Sequence, residues 1–279
     1  MAGRQLYPGA STAHWYQAAF PGDRMMVNTL VWHSTEGTAL DDYAGGAVAP
    51  TLTAAPDWAA ERLAWYQHFD FDVSARALVN APGGVQTNTL NVAQVEVVGT
   101  CDPATHAKWT KAGTAHLYMP ELPAWAIRDL GHFARWTHTE HGVPLTSGLK
   151  FTAFPDSYGT ANGIRMSASQ WEAFTGHCGH QHIPENLHGD PGAFPMAAIL
   201  TVAVDKEDDM TPDQARMLTE LYTDLSAIKR TNVETPEIHR AGYYLAVGEG
   251  HAHSADLKLD QVLTRLDAIE AHLGIPTGS

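Results

Sequence analysis

Two short apolar runs, MMVNTLVWHS at 25–34 and VAQVEVVG at 92–99, constrain the fold of this protein more than any other feature. Both read as buried strands: the first ends in polar residues, and in the second valines surround Gln94 and Glu96. From Pro120 the periodicity changes. Leu122, Trp125, Ala126, Leu130, Phe133 and Ala134 fall on one stripe at helical spacing, and Gly142 with Pro144 ends the helix. Residues 1–204 therefore read as one mixed α/β domain. Within it the sequence predicts a Gly/Pro-rich loop at 45–56, a short helix near 57–67 and a strand at 73–80. Loops are expected at 81–91 and 153–165, with a short helix starting after Ser167.

After about residue 205 the character shifts. DKEDDMTPDQ reads as an acidic linker running into a helix, with Thr211 as N-cap and Pro212 at the first helical position. Leu218, Leu221, Leu225 and Ile228 continue that helix, and 230–254 reads as a linker. Leu259, Val262, Leu266, Ile269 and Leu273 then form a short heptad seam. Residues 205–279 are thus expected to be a helical C-terminal region. Its last helix either joins copies of the protein into a homo-oligomer or folds back on the first domain.

A net charge of −14 argues against nucleic acid as a partner, since nucleic-acid binding needs a basic face. No apolar run is long enough to cross a bilayer, so membrane insertion is not expected. The opening MAGRQLYPGASTAHWY lacks the basic end, apolar stretch and cleavage site of a signal peptide. Synthesis in the cytoplasm is the corresponding expectation. Two cysteines, Cys101 and Cys178, make neither a disulfide framework nor a four-thiolate site.

The 16 histidines are the more informative count, because several cluster near 177–188. GHQHIPENLHGDPG (179–192) places His180, His182, His188 and Asp190 in a loop punctuated by Pro184, Gly189 and Pro191. Imidazole nitrogens and carboxylate oxygens suit zinc, and a catalytic site takes three protein ligands plus a water. A loop can fold His180 and Asp190 onto one ion, so a third ligand has to come from elsewhere. His33, at the end of the first strand, is the natural donor because strand ends hold ligands rigidly. His177 and His182 read as neighbouring or surface groups. His132, His138 and His141 read as a helix face, and Cys178 as a small buried residue.

VWHSTEG (31–37), VEVVG (95–99) and GHQHIPENLHGDPG, in this order, resemble the type 2 N-acetylmuramoyl-L-alanine amidases, whose fold is shared with the peptidoglycan recognition proteins. HSTEGTALDDYAGGAVAPT and SARALVNAPGGVQTNTLNVAQVEVVGTCDP are similar to amidase domains in endolysins of actinobacterial phages, and the resemblance spans about 24–200. It implies a central mixed β-sheet flanked by helices, with zinc on His33, His180 and Asp190. It further implies Glu96 beside the water and His188 near the developing oxyanion. Many relatives carry lysine where His188 stands, and a histidine supplies positive charge only when protonated. Near Arg76 many relatives have histidine, which leaves that wall of the site open; Arg76 and Asn88 are candidate substrate contacts.

The implied function is hydrolysis of the amide between N-acetylmuramic acid and L-alanine of peptidoglycan by a phage endolysin that meets the wall after release. A cell-wall recycling or remodelling amidase, a non-catalytic peptidoglycan-binding module and a peptidase using the same metal are the alternatives.

Overall fold

The computed structural model describes residues 3–204. The expected linkers, C-terminal helices and oligomer seam of 205–279 lie outside the described residues.

The protein is an α/β fold built on a five-stranded mixed sheet. The strands are β1 (Thr29–Ser34), β2 (Leu52–Asp57), β3 (Arg62–Gln67), β4 (Val92–Val97) and β5 (Gly176–Gly179), ordered β3-β2-β4-β1-β5. β1 runs parallel to β4 and β5, and β2 parallel to β4; only β3 is antiparallel. The carboxyl ends of four strands therefore share one edge, the edge at which open α/β sheets build their sites.

Alternation assigns the two faces different chemistry. Leu30, Trp32, Leu52, Ala54, Ala93, Val95 and Val97 point to one face and pack with Ala126, Leu130, Phe133 and Ala134. Those last four belong to α2 (Ala124–His141), beside which lies α4 (Met196–Val204) with Ile199 in the same core. The opposite face carries Val31, His33, Thr53, Gln94 and Glu96, and loops cover much of it. Gln94 anchors that cover: it accepts from Ala77 N–H and donates to Asn88 Oδ1. A strand with valines on one side and Gln94 and Glu96 on the other thus separates core from site.

Phe133 sits fully buried, stacked on Trp65 at a centroid distance of 4.5 Å. Phe133→Ala is expected to cost about 3–5 kcal/mol through lost transfer energy and the cavity left behind. A denaturant titration checks this, and a loss under about 1 kcal/mol would refute the packing assigned to it.

The helix expected from Pro120 begins at Ala124, after a 3₁₀ turn at Met119–Glu121. It ends as expected at Gly142, whose φ of 76° is the left-handed C-cap that glycine tolerates best. The short helix after Ser167 is α3 (Ala168–Ala173), with Ser167 and Gln170 forming a reciprocal capping box. The first strand is shorter than its apolar run, because Met25 N–H turns away to the Asp72 carbonyl.

Three expectations are corrected. Residues 57–67 form no helix, and the 45–56 loop ends early, because 52–67 is the β2–β3 hairpin. Its alanines and glutamate favour helix, but Leu63, Trp65 and Gln67 are buried at period two, and burial against α2 outweighs propensity. Pro56 is tolerated because β4 pairs only with Leu52–Ala54 of β2. Residues 73–80 form no strand beyond an isolated bridge at Val73. The N–H groups of Ala77, Leu78 and Val79 instead go to Gln94, Asn88 and Asn186 side groups. Lastly, an unanticipated helix, α1 (Pro103–Lys111), starts on Asp102, whose carboxylate accepts from Ala104 and Thr105 N–H.

Candidate metal centre

The sheet register assembles the site. His33 of β1 lies opposite Glu96 of β4, and Thr53 of β2 lies opposite Glu96 on its other side. Trp32 pairs with Gly179, so the backbone leaving β5 brings His180 alongside His33. Asp190 returns to the same point: its Oδ2 accepts from Ser34 N–H at 3.2 Å, and its backbone carbonyl accepts from Gln181 N–H.

His33, His180 and Asp190 converge. The two Nδ1 atoms are 3.1 Å apart, His180 Nδ1 is 3.3 Å from Asp190 Oδ1, and His33 Nδ1 is 3.5 Å from Asp190 Oδ2. All three residues are buried, and their ligand atoms lie within 4.8 Å of one another. A tetrahedral ion with bonds of about 2.0–2.2 Å needs donors spaced roughly 3.3–3.6 Å apart. The cluster meets that spacing to within a few tenths of an ångström, so these residues fit a metal ion.

Protonation states agree with the geometry. Burial, outweighing a hydrogen bond to Asp190, pulls the His33 pKa down to about 4, which leaves the imidazole neutral at pH 7. Burial would raise the Asp190 carboxyl, yet the charge and hydrogen bonding of His180 and His33 hold it well below the usual range. A neutral imidazole and an ionised carboxylate are the forms that bind metal. Asn186 fixes the tautomer of His180. Its amide nitrogen donates to the Val79 and Pro184 carbonyls, so its oxygen faces His180 Nε2 at 2.9 Å and requires the proton there. With that proton on Nε2, Nδ1 is the ring nitrogen turned toward the cluster.

Glu96 faces the trio, with Oε1 3.9 Å from His33 Nδ1 and Oε2 buried without a hydrogen-bond partner. Burial first, then the negative charges of Asp190, Glu36 and Asp41, push its carboxyl well above the ordinary range. His188 is not part of the trio. It is exposed and stacks parallel on His180, with rings 5.2 Å apart at 5°.

The other sequence candidates have structural work. His182 Nδ1 accepts from Gly179 N–H, and its Nε2 donates to the Lys150 carbonyl. His138 donates to the Val143 carbonyl behind α2. Cys178 packs among Val31, Trp171 and Ile183, where burial pushes its thiol pKa up. Arg76 lies over Phe20 and donates to the Ala47 carbonyl, and Asn88 ties down Leu78.

Three groups escaped sequence reading. Asn186 is one. Glu36 is another: its carboxylate gathers Ser34 and Thr100 hydroxyls and Cys101 N–H, tying the end of β1 to that of β4. The third is a relay of hydrogen bonds beside Glu96. Tyr43 O–H donates to Thr53, Thr53 to His68 Nε2, and His68 Nδ1–H to the His14 carbonyl. Asn186, Glu36 and Tyr43 lie within the motif segments, but residue type alone gave them no role, because each is defined by hydrogen-bond partners that only the fold brings to it.

His177 supplies a pH test. Its Nδ1 accepts from Trp32 Nε1–H at 3.2 Å, and burial, then His138, lowers its pKa to about 3. The unfolded state takes up this proton near pH 6.5 and the folded one only near 3, so stability falls as pH drops from about 6.5 to 3. His177→Gln, which keeps an acceptor for the indole, is expected to flatten the slope by up to about 1.4 kcal/mol per pH unit. Urea midpoints across that range report it; an unchanged slope means His177 is not held neutral.

No protein-family model matches the sequence, and no curated protein matches it. The functional reading thus rests on the site itself and on the motif resemblance.

Proposed function

We propose that this protein is a zinc-dependent amidase that cleaves the bond between N-acetylmuramic acid and L-alanine in peptidoglycan. The observation that carries the reading is the convergence of two Nδ1 atoms and one carboxylate at tetrahedral spacing, with an unpartnered buried carboxylate facing them. Three protein ligands leave a coordination position open, the mark of a catalytic rather than a structural site. Zinc held there supplies a water activated toward pKa ~7 and polarises a carbonyl.

The residues do the rest. Glu96, whose carboxyl favours its proton more than an ordinary glutamate does, takes a proton from the attacking water and returns it to the leaving amine. His188, exposed beside His180, donates to the developing oxyanion when protonated, help that is typically worth ~3 kcal/mol per donor. The choice of bond comes from the resemblance of VWHSTEG, VEVVG and GHQHIPENLHGDPG. That resemblance also supports a lytic role against a bacterial wall.

Mass spectrometry of purified peptidoglycan after digestion tests the proposal. New L-alanine amino termini alongside an intact lactyl group on muramic acid are expected. Cuts within the stem peptide would identify a peptidase, and an undigested wall that retains bound protein would identify a recognition module. Lysis of permeabilised cells separates a wall-lytic enzyme from one confined to small recycling fragments.

A further inference from the structure

Arg165 lies where the surface loop 153–165 meets the ligand loop, and its guanidinium reaches four backbone carbonyls. Nε donates to Gly159 at 2.8 Å, Nη1 to His180 at 3.0 Å and to Ile183 at 2.9 Å, and Nη2 to His188 at 2.7 Å. Three of those carbonyls, of His180, Ile183 and His188, belong to the ligand loop. His180 is itself a ligand, and His188 stands two positions before the ligand Asp190. The fourth, of Gly159, belongs to the neighbouring loop, and the Gly159 N–H in turn donates to the Leu187 carbonyl at 2.8 Å.

The surroundings are built around that grip. Asn162 Oδ1 accepts from Arg165 N–H, while its Nδ2 donates to the Ser157 and Gln181 carbonyls. Gly189 is packed so closely on Ser157 and Tyr158 that an added Cβ would come within 2.7 Å of Tyr158 N. The ligand loop has no helix or strand between Ile183 and Asp190 to hold it. Its two ends must nevertheless meet to within 3.3 Å at His180 Nδ1 and Asp190 Oδ1.

We infer that Arg165 is the positioning residue of the metal centre, its guanidinium pinning the His180 and His188 backbones so that His180 and Asp190 stand at chelating distance before the ion arrives. The reason is entropic. A floppy loop must be ordered at the moment of binding and loses affinity to that cost, whereas one already ordered does not. Charge-assisted hydrogen bonds to carbonyls are stronger than neutral ones, and the flat fork serves several acceptors at once, which an ammonium cannot reproduce.

The inference rests on the metal reading proposed above. Zinc affinity is measured by competition with a chromophoric chelator for wild type, Arg165→Lys, Arg165→Ala and a control, Arg135→Lys. Arg135 also donates to backbone carbonyls, Val202 and Ala203, but at the end of α4. Both Arg165 variants are expected to bind zinc about 10–100-fold more weakly, the range typical of groups that support metal ligands. Arg135→Lys is expected to bind as wild type does. Should Arg165→Ala fold poorly, Arg165→Lys decides. Affinity within twofold of wild type for Arg165→Lys overturns the inference, as does an equal loss in Arg135→Lys. A wild type that takes up no zinc overturns the metal reading itself.

Discussion

Glu96→Gln is expected to keep the full metal complement and lose wall hydrolysis by about 10²–10⁴-fold, the usual contribution of a positioned acid–base group. The substitution is nearly isosteric, and Glu96 lies outside the ligand trio, 3.9 Å from His33 Nδ1, so the cluster has no reason to rearrange. Metal analysis and a turbidity assay on the same preparation separate the two effects. An active Glu96→Gln removes the residue from the reaction. The metal-free variant is also expected to be more stable than metal-free wild type above pH 5. A raised folded pKa means that the folded state binds more protons than the unfolded one as pH rises past about 4.3. Stability is therefore lost over that range, and a neutral amide removes the loss. On the proposed function, the buried carboxyl costs stability, as functional groups commonly do at active sites.

Asp190→Ala is expected to remove both metal and activity. It deletes the only carboxylate donor of the trio and leaves two imidazoles, so affinity should fall by more than the ~100-fold associated with supporting groups alone. A ligand that binds the folded state stabilises it by about 2.7 kcal/mol at 100 times Kd. Wild type should accordingly melt at a lower temperature once treated with a chelator, while Asp190→Ala should show no such response. Equal shifts in the two proteins would place the ion elsewhere.

The trio that could hold a metal ion was legible in the sequence through its residue types together with the motif resemblance. A strand-end histidine, a histidine in a loop and an aspartate before Pro-Gly belong to a short list of zinc donors, and parallel β1, β4 and β5 bring them together as that list requires. Glu96, singled out as a lone carboxylate among valines, does face that trio. The strand cores at 29–34 and 92–97, the α2 stripe with its Gly142 cap and the Ser167 capping box were readable from local rules, since each is decided within a few residues.

What failed was decided at a distance. The β2–β3 hairpin has alanine-rich, helix-favouring composition, and only Phe133 and its neighbours on α2 make period-two burial the better outcome. Residues 77–79 lose their strand because Gln94, Asn88 and Asn186 take their N–H groups. Sequence alone thus determined which residues offer metal donors and roughly where strands begin, since donor chemistry and periodicity are properties of residues. Tertiary structure alone decided the tautomer of His180, the loss of charge on His33 and the four-carbonyl grip of Arg165. Those depend on burial and on hydrogen bonds between residues far apart in the sequence, which no local pattern records.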